Sequence, residues 1–299
     1  MLLQILIDSL VRTSQLSLVA AGLSMTWGIV RFANVAHVQF APVGAYLALV
    51  AATSLGCGLV AGSVIGIVAA GLVGVLLHLF FFRRLSSFSS STALIGSLAL
   101  SIVITATIQT IAGPRPQRLP LPITRGITLG SAVITKTQLY VVSLTTLIFA
   151  VIFFVLVFTN FGRAVRCIAT NPDLAAASGI DVKRTTTLVV FSAAALAATG
   201  GVFIAADTSI SLEMGSVLLL ATFAAVIMGG IGNVAGALMA SAILAAAESA
   251  VLRINFGPIL GADSLLVPVS YRPAIGFVAV ILIMLFRPQG LFGSGGRRA

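Results

Sequence analysis

Gly58-Leu-Val-Ala-Gly-Ser-Val-Ile-Gly-Ile-Val-Ala-Ala-Gly-Leu-Val-Gly-Val-Leu-Leu-His-Leu-Phe-Phe-Phe82 carries one titratable side chain, His78, and stops at Arg83-Arg84. A helix needs about 20 mostly apolar residues to cross a hydrocarbon core, so this run is long enough to span a bilayer. Residues on both sides repeat the pattern. Apolar runs bounded by polar or charged breaks fall at 7–30, 38–55, 58–82, 92–112, 138–158, 186–206, 217–231, 234–253 and 272–287. The composition agrees: 59% hydrophobic and 8% charged residues, with a mean hydropathy of +1.16, leave too little polar surface for a protein solvated by water. The expectation is an all-α polytopic bundle of eight or nine transmembrane helices, one membrane domain over residues 1–299. The first run holds Asp8 and Arg12 and has no small-residue cleavage site after it, so it is expected to be a span and not a removable signal.

The net charge of +10 does not point to nucleic acid, because the 17 Lys and Arg are scattered through short breaks and form no basic patch. They orient the chain instead. With nine alternating spans, Arg83-Arg84, Arg163, Arg166, Lys183-Arg184, Arg287 and Arg297-Arg298 share one face, expected to be cytoplasmic. The N-terminus is then outside and the C-terminus inside. Breaks 113–137, 207–216 and 254–271 face outward, the first with Arg115, Arg118, Arg125 and Lys136 weakening the bias. Cys57 and Cys167 fall on opposite sides, which excludes a disulfide between them.

Glycine marks the second structural theme. Gly62/Gly66 and Gly232/Gly236 have the spacing that lets helix backbones approach closely. Gly229 and Gly230 stand in Met228-Gly-Gly-Ile-Gly-Asn-Val-Ala-Gly236, where 217–253 is either one broken element lining the interior or two spans joined by a tight turn. A faint internal echo links Ala20-Ala21-Gly22 and the break at 31–39 with Ala198-Thr199-Gly200 and the break at 207–216, in opposite orientations, as in inverted transporter repeats.

No chemistry of catalysis is visible. G-x-x-x-x-G-K-[ST] and G-x-S-x-G are absent, Cys-x-x-Cys is absent, and His37 and His78 are the two histidines. The chain is expected to be neither an enzyme nor a metal or cofactor protein. Its informative polar stretches are two. Arg31-Phe-Ala-Asn-Val-Ala-His-Val-Gln39 places Asn34 and His37 three residues apart, on one face if helical; Asn34, His37 and Gln39 either line a pathway or gate, or cap and cross-link helices. The second stretch lies in a cytoplasmic segment at about 160–185. There Asn171 is placed to cap a helix with Pro172 at its first position and Asp173 at the positive end of its dipole, closed by Gly179, while Ala175, Ala176 and Ala177 leave a partner room to approach.

Four motifs in order resemble the permease subunits of branched-chain amino acid ABC importers, relatives of urea and short-chain amide permeases. They are Gly22-Leu-Ser-Met-Thr-Trp-Gly28 with Asn34-Val-Ala-His37; Gly162-Arg-Ala-Val-Arg166 with Asn171, Ala176 and Gly179-Ile180; Val226-Ile-Met-Gly-Gly-Ile-Gly232 with Gly236; and Arg287-Pro-Gln-Gly-Leu291. Val35 stands where the family usually has Phe, and Val38-Gln39 where Gly and an acid are common. The resemblance implies that 172–179 is a coupling helix, with Arg163, Arg166, Asn171, Pro172, Asp173, Ala176 and Gly179 serving the contact with an ATPase. It implies a homologous permease as partner in a heterodimer or homodimer, two cytoplasmic ATPase subunits that bind the ATP and magnesium, and a periplasmic or extracellular solute-binding protein that carries most of the selectivity. The location implied is the bacterial inner membrane.

Ionisable groups at membrane depth are expensive and have partners or functions. Glu248, where family members often carry an acid, is expected either to pair with Arg253 five residues on or to line the pathway. His78 is expected as an interfacial anchor, and Asp207 and Glu213 as groups that meet a binding protein or solvate the outward loop. The alternative from another class is an ion-gradient-driven transporter or channel working through Glu248 or Asp207; a scaffold without transport is a third.

Overall fold

The computed structural model describes all residues except 1, 86–87, 123–125, 131, 255–266, 288–289 and 292–299. Arg125, Pro288, Gln289, Arg297, Arg298 and most of the break at 254–271 therefore lie outside the described residues.

Each expected run is helical. α1 (Leu2–Val30) is followed by a 3-10 turn (Val35–Gln39) and α2 (Phe40–Ser54); α3 (Gly58–Leu77) runs through a π-helical turn (His78–Phe82) into α4 (Arg83–Leu85). Then come α5 (Ser90–Ala112), α6 (Lys136–Phe158), α7 (Asn160–Thr170), α8 (Pro172–Ala177), α9 (Val182–Asp207), α10 (Met214–Gly229), α11 (Val234–Arg253) and, after a 3-10 turn (Val269–Tyr271), α12 (Arg272–Phe286). Among the described residues eight helical segments are long and apolar enough to cross a membrane, and α10 is a shorter apolar helix. At 1.5 Å per residue the 16 residues of α10 rise about 24 Å, short of a ~30 Å core.

α1 is the axis of the bundle. From Ser14 to Thr26 it is buried throughout, and it packs on α9, α10, α11 and α6. Two of its buried hydroxyls bond to their own helix, Ser14 Oγ donating to Leu10 O at 2.9 Å and Thr26 Oγ1 to Gly22 O at 3.1 Å, while Ser17 and Ser24 are buried without a hydrogen-bond partner. The outer helices α3, α5, α6 and α12 expose rows of large apolar side chains such as Val60, Ile102, Phe154 and Leu285, as a lipid-solvated surface requires.

Small residues set the spacing. A Cβ added at Gly66 would come within 2.4 Å of Ala48 N, and one at Gly62 within 2.7 Å of Ala52 N, so α3 lies backbone to backbone against α2. Gly232/Gly236 do not form such a face: Gly232 (φ 83°) sits in a turn against Gly28, while Gly236 meets Gly229. The two halves of the sequence echo lie on neighbouring helices. α1 and α9 run antiparallel, with Gly22 against Ala193 and Gly200 against Gln15, and each is followed by an irregular return and a shorter helix, α2 or α10.

One element was not expected. Within the break 113–137, β1 (Ile127–Leu129) pairs antiparallel with β2 (Ala132–Ile134), Ile127 opposite Ile134. Ala132 packs on Ile7 and Val11 of α1, and Gln4 accepts from Val133 N–H at 2.8 Å. Too short for a periodic signal, this hairpin marks one end of the bundle; α7 and α8 mark the other.

Candidate functional site

At the α8 end, α7 lies as an amphipathic helix. Phe161, Val165 and Ile168, spaced i, i+4, i+7, turn inward, while Arg163, Arg166 and Thr170 are exposed. Arg163 bonds Asn160 and Arg166 bonds the Leu156 carbonyl. Asn171 then ends α7 and starts α8: its Oδ1 accepts from the N–H of Asp173 at 3.0 Å and of Leu174 at 3.1 Å. α8 closes in a Schellman motif, Ile180 N–H to Ala175 O and Gly179 N–H to Ala176 O, with Gly179 left-handed at φ 84°. Asp181 Oδ1 immediately caps α9 through Arg184 N–H at 2.9 Å. The result is a rigid corner whose Ala175 is buried, whose Asp173, Ala176 and Ala177 are exposed, and whose Leu174 is 65% exposed. A groove of about 340 Å³ runs beside it, bordered by Arg166, Thr170, Leu174 and Ile180. Leu174 escaped the sequence reading because apolar residues are common everywhere in this chain.

The break at 31–39 re-enters the bundle. Val35 N–H bonds Ser97 Oγ at 3.0 Å, and Gln39 Nε2 donates to Ser101 Oγ at 2.9 Å. Ser97 and Ser101 lie 7 and 11 residues into α5 from Ser90, or about 10 and 16 Å at helical rise, so Gln39 sits near mid-membrane. His37 is 1% exposed, with Nε2 3.3 Å from Val19 O and its ring edge-on to Phe40. Asn34 and His37 border one small cavity of about 20 Å³ with Thr26 and His78. Gln39 points away from it. Its Oε1 is buried without a partner and lies against Gly215, at the start of α10. His78, expected at an interface, is the first residue of the π-helical turn, is half-buried and borders the same cavity.

Gly229 and Gly230 belong to a tight turn and not to a broken element. Gly230 (φ 91°) ends α10, Asn233 Oδ1 caps α11 through Gly236 N–H at 2.9 Å, and Gly229 packs on Gly236. Gly232 and Asn233, rather than the first two glycines, border a cleft of about 480 Å³ with Gly28 and Arg166.

Glu248 is 1% exposed, and the expected partner is corrected. Its Oε2 meets Arg12 Nε at 3.0 Å and Arg272 Nε at 3.8 Å, whereas Arg253 pairs with Asp8 at 2.5 Å. Five residues along a helix turn the side chain about 140° around the axis, so Glu248 and Arg253 point in different directions. Asp207 likewise bonds inside the bundle, to Gln138 Nε2 at 3.0 Å and Gln15 Nε2 at 3.2 Å. Asp8, Arg12, Asp207, Arg253 and Arg272 border a cavity of about 420 Å³ at the hairpin end, whereas Glu248 is not among its lining residues. Glu213, at the N-terminus of α10, is exposed. Among the described residues no three His, Cys, Asp or Glu cluster as a metal site would need, and Cys57 and Cys167 are free and exposed.

Residues 5–286 match the model of the family described as branched-chain amino acid transport system / permease component. The chain belongs to this family. The permease is 27% identical over 305 aligned residues to the high-affinity branched-chain amino acid transport system permease protein LivH of Escherichia coli K12, covering 97% of this chain and 95% of that one. It is 25% identical to BraD of Pseudomonas aeruginosa, with the same coverage, and 26% identical to a probable LivH of Methanocaldococcus jannaschii, over 97% and 92%. Among solved structures it is similar in fold to PsaBC of Streptococcus pneumoniae, with a TM-score of 0.50 at 12% identity over 94% of this chain and 91% of that one. The all-α membrane fold and the permease class expected from the motifs thus hold.

Proposed function

We propose that this permease moves branched-chain amino acids, or a related small polar solute such as urea or an amide, into the cell. It does so as one of two homologous permeases, driven by two separate ATPase subunits that hold ATP and magnesium, and fed by an external binding protein. The α8 end faces the cytoplasm, with the N-terminus outside and the C-terminus inside. Arg83, Arg84, Arg163, Arg166, Lys183 and Arg184 near that end support this orientation.

The observation that carries the reading is the α7–α8 corner. Capped at both ends and small along its exposed side, with Leu174 standing out of it, the corner is a rigid projection suited to insertion into a cleft of a partner. ATP-driven motion of that partner then moves the corner as a body, tipping the bundle between inward- and outward-facing states. The ion-gradient alternative has less to work with, since Glu248 is held by two arginines and Asp207 by two glutamines.

The test is reconstitution with the cognate ATPase subunits and binding protein, assaying uptake and hydrolysis together. Wild-type uptake is expected to require ATP, and Leu174→Asp to abolish co-purification of the ATPase subunits while leaving the permease folded. Uptake by the purified chain alone, driven by a proton or sodium gradient, refutes the proposal.

A further inference from the structure

α1 ends with Arg31 in the left-handed region, φ 59°, its N–H donating to Trp27 O at 3.0 Å. This is the αL cap, a position that glycine occupies without steric cost. Among the described residues Arg31 is the sole non-glycine residue with positive φ. A strained residue of this kind persists only where the surrounding structure holds it in place.

The side chain reaches across to the corner. Nη2 donates to the carbonyl oxygens of Ala169 at 3.3 Å and Thr170 at 3.1 Å. These are the last carbonyls of α7, which have no donor within their own helix and lie at its negative end. The next residue, Asn171, is the cap of α8. In the other direction Arg31 opens the re-entrant segment, whose Val35, His37 and Gln39 are fixed to Ser97, Val19 and Ser101. The backbone joins the corner to α6 and α9 but not to this segment, so the guanidinium connects two parts of the fold that are far apart in the chain.

We infer that Arg31 is a positioning residue whose guanidinium transmits displacement of the α7–α8 corner to the mid-membrane turn carrying His37 and Gln39. The inference rests on the proposed function, because it needs a partner that moves the corner. A merely topological role for the charge, or a merely structural role for the cap, makes different demands on the side chain.

The experiment uses the complete reconstituted importer, with uptake and ATP hydrolysis measured side by side. Arg31→Gly leaves the left-handed backbone unstrained and removes the side chain that carries the guanidinium. Assembly and hydrolysis without binding protein are expected to stay at wild-type levels, while solute moved per ATP falls about tenfold, the lower end of what one charge-assisted hydrogen bond sustains. Arg31→Lys, which returns a cation to the same carbonyls, is expected to restore most of the ratio. A glycine variant with wild-type uptake per ATP overturns the inference. So does a glycine variant whose assembly and hydrolysis fall in step with uptake. If the glycine variant does not assemble at all, the lysine variant decides: hydrolysis at the wild-type level with uptake per ATP also at the wild-type level supports the link, and loss of both together overturns it. Wild-type uptake that needs no ATP is a separate result and refutes the proposed function itself.

Discussion

Replacing Arg12 by methionine removes the closest partner of a carboxylate that is 1% exposed. At roughly 4 Å between charge centres and an effective dielectric near 20, the pair interacts by about 4 kcal/mol. Breaking a buried pair from one side costs about 3–5 kcal/mol, because the remaining charge keeps its desolvation penalty. Arg272, 3.8 Å from the same oxygen and about one-third exposed, takes up part of the load and brings the expected loss to the lower end of that range. At about 2–4 °C per kcal/mol for a chain of this size class, the thermal midpoint of the detergent-solubilised permease drops by about 6–12 °C. The double variant Arg12→Met with Glu248→Met removes the penalty with the charges and should recover most of the loss. Fluorescence-detected gel filtration over a temperature series reads all three proteins. If the single and double variants fall equally, the ion pair is not what stabilises this contact and the argument fails.

Gly66→Leu forces a side chain into a site where a Cβ alone would lie 2.4 Å from Ala48 N; α2 and α3 must separate, and a loss of at least about 1–3 kcal/mol should appear as reduced thermal stability. Asn171→Ala leaves the N–H groups of Asp173 and Leu174 without their acceptor, which weakens the corner by about 1 kcal/mol and should lower binding-protein-stimulated hydrolysis without changing the midpoint of the bundle; unchanged stimulation counts against the corner. The exposed thiols Cys57 and Cys167 give a topology test. A membrane-impermeant maleimide should label Cys57 in intact cells and Cys167 only in inverted vesicles, and the opposite pattern reverses the orientation proposed above.

The spans and the capped corner were legible because their causes are local. Apolar length defines a span, and Asn171-Pro172-Asp173 with Gly179 spells out a capped helix through side-chain and φ preferences of those residues alone. What stayed hidden depends on residues distant in the chain. Glu248 finds Arg12 across 236 positions, and no periodicity of α11 names α1 as the neighbour. The fate of Gly229 and Gly230 was open for the same reason: a glycine run permits both a tight turn and a broken span, and the choice follows from Gly232 packing on Gly28. Arg31 reads as an ordinary loop cation until its φ and its distance from Thr170 are known.

The irregular segment sits where the bundle can bear it. Backbone outside the α-helical ladder survives at membrane depth only when protein satisfies it; here Val35 N–H bonds Ser97 Oγ and His37 N–H bonds Asn34 O, while the Gln39 and His37 side chains reach Ser101 and Val19. At its tip Gln39 faces Gly215 with an unpartnered Oε1, so what joins the returning chain to α10 is apolar packing, Val38 and Phe40 in one cluster with Leu219, and not a hydrogen bond from Gln39 Oε1.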